Sequence, residues 1–250
     1  MSLDAGDFDM QPLNRVKKVD ATDWGSNHRV MQKRATLAAK VAQSIAFWAE
    51  IEVLLGMFLA CVLHANEKAV LAIYTGLENR AAQLRMIESA STAALNQNHA
   101  DVVSVVLNVL VRPAMRYRDK LAHWCWGFTD ELPDALLIRD QEQHLVNYAA
   151  TLRLQGETGR IGSGVPVNFD SIFVVRDGDL DSYLSQLEHL ELTLRRLMAS
   201  VWIANSAAEH AEHLRMLSSE PRIQAGLEKL RKGRQSNRDT QQQTPALAGC

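Results

Sequence analysis

The sequence is poor in cysteine, and the cysteines it has are not placed to pair. Cys61, Cys125 and Cys250 lie far apart, and no two of them form a CxxC spacing. An odd number of widely spaced cysteines argues against a disulfide framework and against a structural zinc site. The same pattern favours a reducing compartment.

The sequence also lacks a membrane-spanning run of apolar residues and a strong excess of charge. Its longest apolar stretches, around 53–63 and 102–111, are shorter than the roughly 18 residues that a membrane span needs. The opening MSLDAGDFDM is acidic, so we expect no secretory signal peptide. With a formal net charge of −2, any contact with nucleic acid must come from a local basic patch. We predict a soluble, cytoplasmic protein that makes no membrane contact.

Signatures of several enzyme classes are missing as well. The GSG segment at 162–164 lacks the lysine and the following helix that a phosphate-binding loop requires. His210 and His213 are three positions apart, which places them on one helix face at a spacing compatible with metal ligands. Two imidazoles do not complete a metal site, so we interpret them as part of a solvated helix face. We predict no metal and no cofactor.

What the sequence does have is helical periodicity. A long helix is predicted from about Arg29 to about Ala65, followed by a second helix that Asn66 caps and a third that begins at about Asn79. Another is predicted from Asp101 to about Gly127, with a kink or restart at Pro113. Helix returns at about 179. The long first helix is indicated by apolar residues that recur every three or four positions, namely Leu37, Val41, Ile45, Trp48, Ile51, Leu55, Phe58 and Val62.

Between the helices, the segment 129–177 is broken by proline and glycine. It contains the runs ALLIR, VNYAATLRL and SIFVVRD, which are typical of β-strands. The predicted fold is therefore mainly α, an up-and-down helical bundle of four to five long helices with a small β-rich insertion. The predicted segments are a loose arm at 1–27, the bundle at 28–204, short helices at 205–234 and a disordered tail at 235–250.

One acidic residue in the first helix has two interpretations. Glu52 lies between the stripe residues Ile51 and Leu55. It could pair with a cation of a neighbouring helix, or it could be an inward-facing acid near a site. The sequence leaves both open.

The segment RYRDKLAHWCWG, residues 116–127, concentrates charged and aromatic side chains just beyond Pro113. Asp119 and His123 are four positions apart, so the carboxylate can reach the imidazole. Arg118 and His123 are five apart, which places them about 140° apart around a helix, on either side of a groove. Spacing alone favours a solvated helix face.

Within this segment, RDKLAH resembles the Arg–polar–x–x–x–His motif of the HEPN superfamily, helical proteins that include many metal-independent ribonucleases. Arg118, Asp119 and His123 match its defining positions, and the Trp126–Gly127 pair is similar to the family's aromatic-glycine pair. WAEIEVLLGMFLA and ENRAAQLRMI upstream resemble the first and third helices of bacterial members. Trp124 departs from the pattern, because many members have glycine directly after the histidine.

The resemblance implies RNA cleavage by attack of the 2′-hydroxyl on the adjacent phosphate. His123 would transfer protons, Arg118 would stabilise the transition state and Asp119 would orient His123. Arg116 and Lys120 would bind RNA phosphates. The resemblance also implies a homodimer with two motifs at one cleft, and an antitoxin-like protein is a candidate further partner. The rival interpretation is a helical interaction module without catalysis.

Overall fold

The computed structural model describes residues 10–16, 25–26, 29–159, 169–203 and 207–243. Within these ranges the protein is mainly α-helical with one small antiparallel sheet, which confirms the predicted fold class. The chain forms two compact units. The first comprises Glu50–Pro113 and His189–Cys250, and the second comprises Gly6–Ala49 and Ala114–Glu188. Each unit therefore combines segments that are distant in the sequence.

Most of the described chain belongs to helices, two of which end in a short π-helical segment. The π-helical segments are Leu107–Val111, directly after α6, and Ala199–Ile203, directly after α9. The helices are α1 Leu13–Val16, α2 Val30–Lys33, α3 Ala35–Leu63, α4 Glu67–Thr75, α5 Arg80–Ala94, α6 Gln97–Val106, α7 Arg112–His123, α8 Gln141–Thr158, α9 Asp177–Met198, α10 Ala207–Ser219 and α11 Pro221–Gln243.

The predicted helix starts at two asparagines are confirmed. The Asn66 side chain accepts from the Ala69 N–H at 3.1 Å, at the start of α4. The Asn79 side chain accepts from the N–H groups of the two residues that follow Arg80, at the start of α5. Each carbonyl pairs with amides that a free helix end leaves unpaired. The next helix begins at Gln97 rather than at Asp101, because Asn96 supplies an equivalent cap.

The predicted break near Pro113 takes the form of a π-helical turn. The Arg112 N–H donates to the Leu107 carbonyl, five residues back, instead of to the residue four back. An unbroken α-helix would pair the Val109 carbonyl with the N–H of residue 113, and proline has none. Arg222 of α11 donates to that carbonyl at 3.3 Å instead.

Helix α3 bears on the expectation that the chain lacks an apolar run long enough to span a membrane. Among the described residues it is the one helix that passes a length and composition test for crossing a membrane, with a mean hydropathy of 2.0. The core helix of a soluble protein passes the same test. The apolar stripe of α3 is buried within the protein, with Trp48 and Phe58 almost fully enclosed. Glu52, also on α3, forms an ion pair with Arg80 at 3.0 Å, which supports the first of its two interpretations.

The sheet has five short strands in the order β1-β5-β4-β3-β2, and all neighbours are antiparallel. The runs ALLIR and SIFVVRD form strands, as predicted, and these two strands pair with each other inside the sheet. The central strand β4 is buried along its whole length. The strands are β1 Gln11–Pro12, β2 Gly25–Ser26, β3 Cys125–Phe128, β4 Ala135–Arg139 and β5 Ile172–Arg176.

The structure corrects the loose arm in part. Gln11 pairs with Val174, and Leu13 of α1 is fully buried against the sheet. Gly25 pairs with Phe128 at the other edge. These segments are ordered by partners far along the chain, which local sequence patterns do not reveal. The rest of the predicted arm lies outside the described residues.

Three other predictions about local structure are wrong. VNYAATLRL lies within α8, because Asp140 caps that helix by accepting from the N–H groups of Glu142 and Gln143. Helix α7 ends at His123 rather than near Gly127, and the chain then enters β3. The polar tail predicted to be disordered from 235 is helical to Gln243. The short helices predicted at 205–234 are α10 and α11, which are separated just before Pro221.

Candidate functional site

The candidate site lies on the second half of α7, whose position is fixed by two tyrosines. The Tyr183 hydroxyl of α9 donates to the Ala114 carbonyl at 2.9 Å, and the Tyr117 and Tyr183 rings are 4.6 Å apart. Both rings are buried. Burial raises the pKa of both phenols above their ordinary value, so both stay neutral and structural. The backbone that carries the motif is therefore held by packed aromatic groups.

The structure brings Arg118, Asp119 and His123 together. Arg118 Nη1 donates to Asp119 Oδ1 at 3.0 Å and lies 3.5 Å from His123 Nε2. The Arg118 side chain is only 14% exposed, whereas His123 is exposed. Arg118 Nε is buried and has no hydrogen-bond partner within the described part of the chain. The guanidinium is thus held close to the imidazole and not across a groove from it, which corrects the expectation from helical spacing.

The contact between Arg118 and His123 is made to Nε2 of the imidazole. Arginine only donates, so in any hydrogen bond between the two side chains Nε2 is the acceptor. Asp119 contacts Arg118, and its predicted role in orienting His123 directly stays a prediction.

Two further cations of the motif lie near this pair in the sequence. Arg116 is exposed, and Lys120 Nζ lies 5.4 Å from the centre of the Trp124 ring. Arg112, the first residue of α7, lies 3.8 Å from Glu88 in the first unit. The cations within the motif segment are therefore Arg116 and Lys120, four positions apart on α7, and Arg118 beside His123.

The two tryptophans after the motif are held in defined positions. Trp126 Nε1 donates to the Leu121 carbonyl at 3.1 Å, which satisfies one carbonyl of the last turn of α7. The Trp124 ring packs against Phe173 of β5 at 5.5 Å. Both tryptophans line a cleft of about 680 Å³ in the second unit. The departure from the HEPN motif at Trp124 thus contributes to the wall of a cleft.

The sequence did not identify two polar residues near this cleft. His144 of α8 lines it, and burial together with the charge of Arg139 lowers the pKa of its imidazole. Arg139, at the end of β4, is only 2% exposed. Its guanidinium donates to the Asn147 side-chain carbonyl when that amide is oriented with its oxygen inward. An arginine that ends a fully apolar strand was the one signal in the sequence that could have marked this position.

The described residues hold no group of three or more His, Cys, Asp or Glu side chains arranged to bind a metal ion. His210 and His213 lie on α10, in the first unit. The candidate site therefore consists of the α7 motif and the cleft lined by Trp124 and Trp126.

Compared with protein-family models, with curated proteins and with solved structures, the chain has no match. The relation to the HEPN superfamily accordingly stays a prediction that depends on the motif around Arg118 and His123.

Proposed function

We propose that the protein is a metal-independent endoribonuclease of the HEPN type, acting in the cytoplasm. The observation that supports this most is the 3.5 Å approach of Arg118 Nη1 to His123 Nε2 on a partly exposed helix end. A fixed cation beside an imidazole combines the two groups that phosphoryl chemistry needs, a charge stabiliser and a group that transfers protons.

The reaction follows from these groups. His123 accepts the proton of the ribose 2′-hydroxyl, and the 2′-oxygen attacks the adjacent phosphorus. The bond from phosphorus to the 5′-oxygen breaks, so the products carry a 2′,3′-cyclic phosphate and a free 5′-hydroxyl. Arg118 donates to the non-bridging oxygens, on which negative charge accumulates. Arg116 and Lys120 bind neighbouring phosphates without reading the bases.

The leaving 5′-oxygen needs a proton, and each chain supplies one motif histidine. A second copy of the chain related by a twofold axis would supply a second imidazole at a shared cleft. The proposed active species is therefore a homodimer. An antitoxin-like protein that covers the motif is a candidate regulator of this species.

The decisive experiment is cleavage of single-stranded RNA in excess EDTA, with analysis of the product ends. We expect 2′,3′-cyclic phosphate ends from the wild-type protein and none from His123→Ala, whose exposed side chain contributes little to the core. Cleavage that survives in His123→Ala, or products with other ends, would remove the assignment. An unchanged thermal transition of the variant excludes unfolding as the cause of the loss.

One observation favours the rival function, a helical interaction module. None of the residues of α8 is fully buried, and Leu145, Tyr148 and Leu152 form an exposed apolar stripe at helical spacing, beside exposed Val146. Contiguous exposed apolar surface is typical of protein–protein contacts. This function predicts no EDTA-resistant cleavage by any variant, together with a change in association when the stripe carries charge, as in Leu145→Glu combined with Leu152→Glu.

A further inference from the structure

The cleft beside the motif combines apolar walls with aromatic side chains. Val41 and Ile45 of α3 contribute to one side, and Trp124 and Trp126 contribute two indole rings. A volume of about 680 Å³ lies within the range that small-molecule sites in proteins occupy. Two indoles at an open cleft offer flat apolar surfaces to a flat ligand, which would stack on them.

The cleft and the proposed reaction site share a segment of chain. Ala122 and Trp124 both line the cleft, and His123 is the residue between them. Lys120 Nζ lies 5.4 Å from the Trp124 ring centre, which places a cation at the cleft wall. A ligand that enters the cleft would therefore direct its negative charge towards Lys120.

The cleft also has a polar group suited to the edge of a heterocycle. His144 lines it, and burial and the nearby Arg139 both lower the pKa of the imidazole, which favours the neutral ring. A neutral imidazole offers one donor and one acceptor. Such a pair matches the mixed donor and acceptor edges of nucleobases.

We propose that this cleft binds an unpaired nucleobase of the RNA strand, stacked on Trp124 and Trp126, while the phosphate beside that base lies at Arg118 and His123. The choice of RNA as the ligand rests on the proposed function. Stacking tolerates every base, because each has a π face, so the cleft selects single-stranded over duplex RNA and not one sequence over another.

The test measures binding and not cleavage, so that the two proposals can fail separately. The probe is a fluorescein-labelled all-2′-deoxy hexanucleotide, which lacks the attacking hydroxyl, and a series in which one position at a time is abasic. We expect one abasic position to weaken binding by about tenfold, in line with the stacking contribution of one base. The same position-dependent loss should appear in His123→Ala. A series in which no abasic position weakens binding overturns the inference.

A cleft-filling variant with a matched control locates the base. Ala42 lines the cleft and is exposed, so Ala42→Phe should occupy the space without disturbing the core. We expect it to weaken binding of the intact probe by about tenfold, to the level of the abasic one. Ala39→Phe, at another exposed alanine of α3, should leave both probes unaffected. Equal affinity of Ala42→Phe and wild type for the intact probe overturns the inference.

Cleavage of ribose-containing RNA is scored separately. If the protein binds the probes with the expected base dependence but does not cleave RNA, the proposed reaction is wrong and the base site stands. If it cleaves RNA and no abasic position weakens binding of the probe, the base site is wrong and the reaction stands.

Discussion

At the scale of single residues, the chemistry of the site depends on the shape of Arg118. One nitrogen of its planar guanidinium contacts both Asp119 at 3.0 Å and His123 at 3.5 Å. That leaves other N–H groups of the same fork for a phosphate. Lysine has the charge but presents it as a point, so it cannot bridge two phosphate oxygens in the same way.

We therefore expect Arg118→Lys to lower the RNA cleavage rate by about a hundredfold or more, a loss typical of removing one transition-state donor. Asp119→Asn should be milder, because the amide oxygen still accepts from Arg118. Single-turnover rates of the two variants check this order. Arg153→Lys, at an exposed arginine of α8, is the matched control and should keep the wild-type rate. A larger loss in Asp119→Asn than in Arg118→Lys would contradict the roles assigned to both residues.

Another residue-scale prediction concerns stability and pH. His99 Nε2 lies 3.2 Å from the Ser200 carbonyl in the first unit. Burial, and to a smaller extent His210, lower the pKa of its imidazole, while the Ser200 carbonyl raises it less. The unfolded chain, with an ordinary histidine pKa of about 6.5, then binds the proton more readily than the folded one. The stability conferred by neutral His99 is complete above that pH and declines as the pH falls below it.

We expect the free energy of unfolding to decrease as the pH is lowered below about 6.5, and His99→Gln to flatten this dependence. Urea unfolding at a series of pH values measures both slopes. Identical slopes in the two proteins would show that His99 does not carry the effect.

At the scale of helices and strands, the sequence predicted what short-range contacts decide. Asn66 and Asn79 cap their helices because the cap and the amides it binds are within three residues of one another. The sequence did not predict strand β1, because its partner β5 lies more than a hundred residues later in the sequence. VNYAATLRL was misassigned because β propensity within the run was outweighed by the cap at Asp140 before it.

The sequence likewise predicted one part of the candidate site, the motif, and not the other, the cleft. The motif residues follow one another on α7, so the sequence could group Arg118, Asp119 and His123. The cleft could not be predicted, because α3, β3 and α8 bring Ala42, Trp126 and His144 to it from three distant segments. Side chains that meet only through tertiary packing leave no spacing pattern.

Two glycines of α11 give an element-scale prediction with an internal control. A Cβ at Gly226 would collide with the Val105 side chain and lie 3.2 Å from Val109 Cγ2, whereas a Cβ at Gly233 would meet nothing within 4 Å. We expect Gly226→Ala to destabilise the protein by about 1–3 kcal/mol, because overpacking forces α6 and α11 apart. Gly233→Ala should stabilise it by about 0.5–1 kcal/mol through helix propensity.

Thermal and urea unfolding of both variants check this pair. Stabilisation by both substitutions would mean that α11 does not pack closely on α6. The same packing limits what can be removed from residues 222–238, which hold six Lys or Arg residues against one acid, Glu228. Ile223 and Leu227 are buried, and Arg234 forms two 2.7 Å bonds with Asp101. A deletion of this run would therefore damage the fold as well as remove charge.

At the scale of the whole molecule, the proposed reaction requires two copies of the chain. We expect a homodimer at micromolar concentration in sedimentation velocity. The double variant of Leu145→Glu and Leu152→Glu tests whether the α8 stripe forms the contact, since a charge placed in an apolar interface disrupts it. The double variant of Gln141→Glu and Gln143→Glu, at exposed positions of the same helix, controls for added charge.

A monomeric wild-type protein at these concentrations would contradict the composite site. A dimer that persists in the stripe variant would place the contact elsewhere. Cleavage that is second order in protein at low concentration, in step with the dimer fraction, is the expected kinetic counterpart.

The pairing of β1 with β5 also has a consequence for folding during synthesis. Gln11 is made early, but its partner Val174 comes much later in the same chain. At about 5–20 residues per second, a ribosome needs roughly 8–30 s to advance from one to the other. Throughout that interval Leu13, which packs against Ile172 and Val174 in the finished protein, lacks these partners. Leu13 is thus made early and docks late, and a chain arrested before β5 would leave this segment exposed to proteases and chaperones.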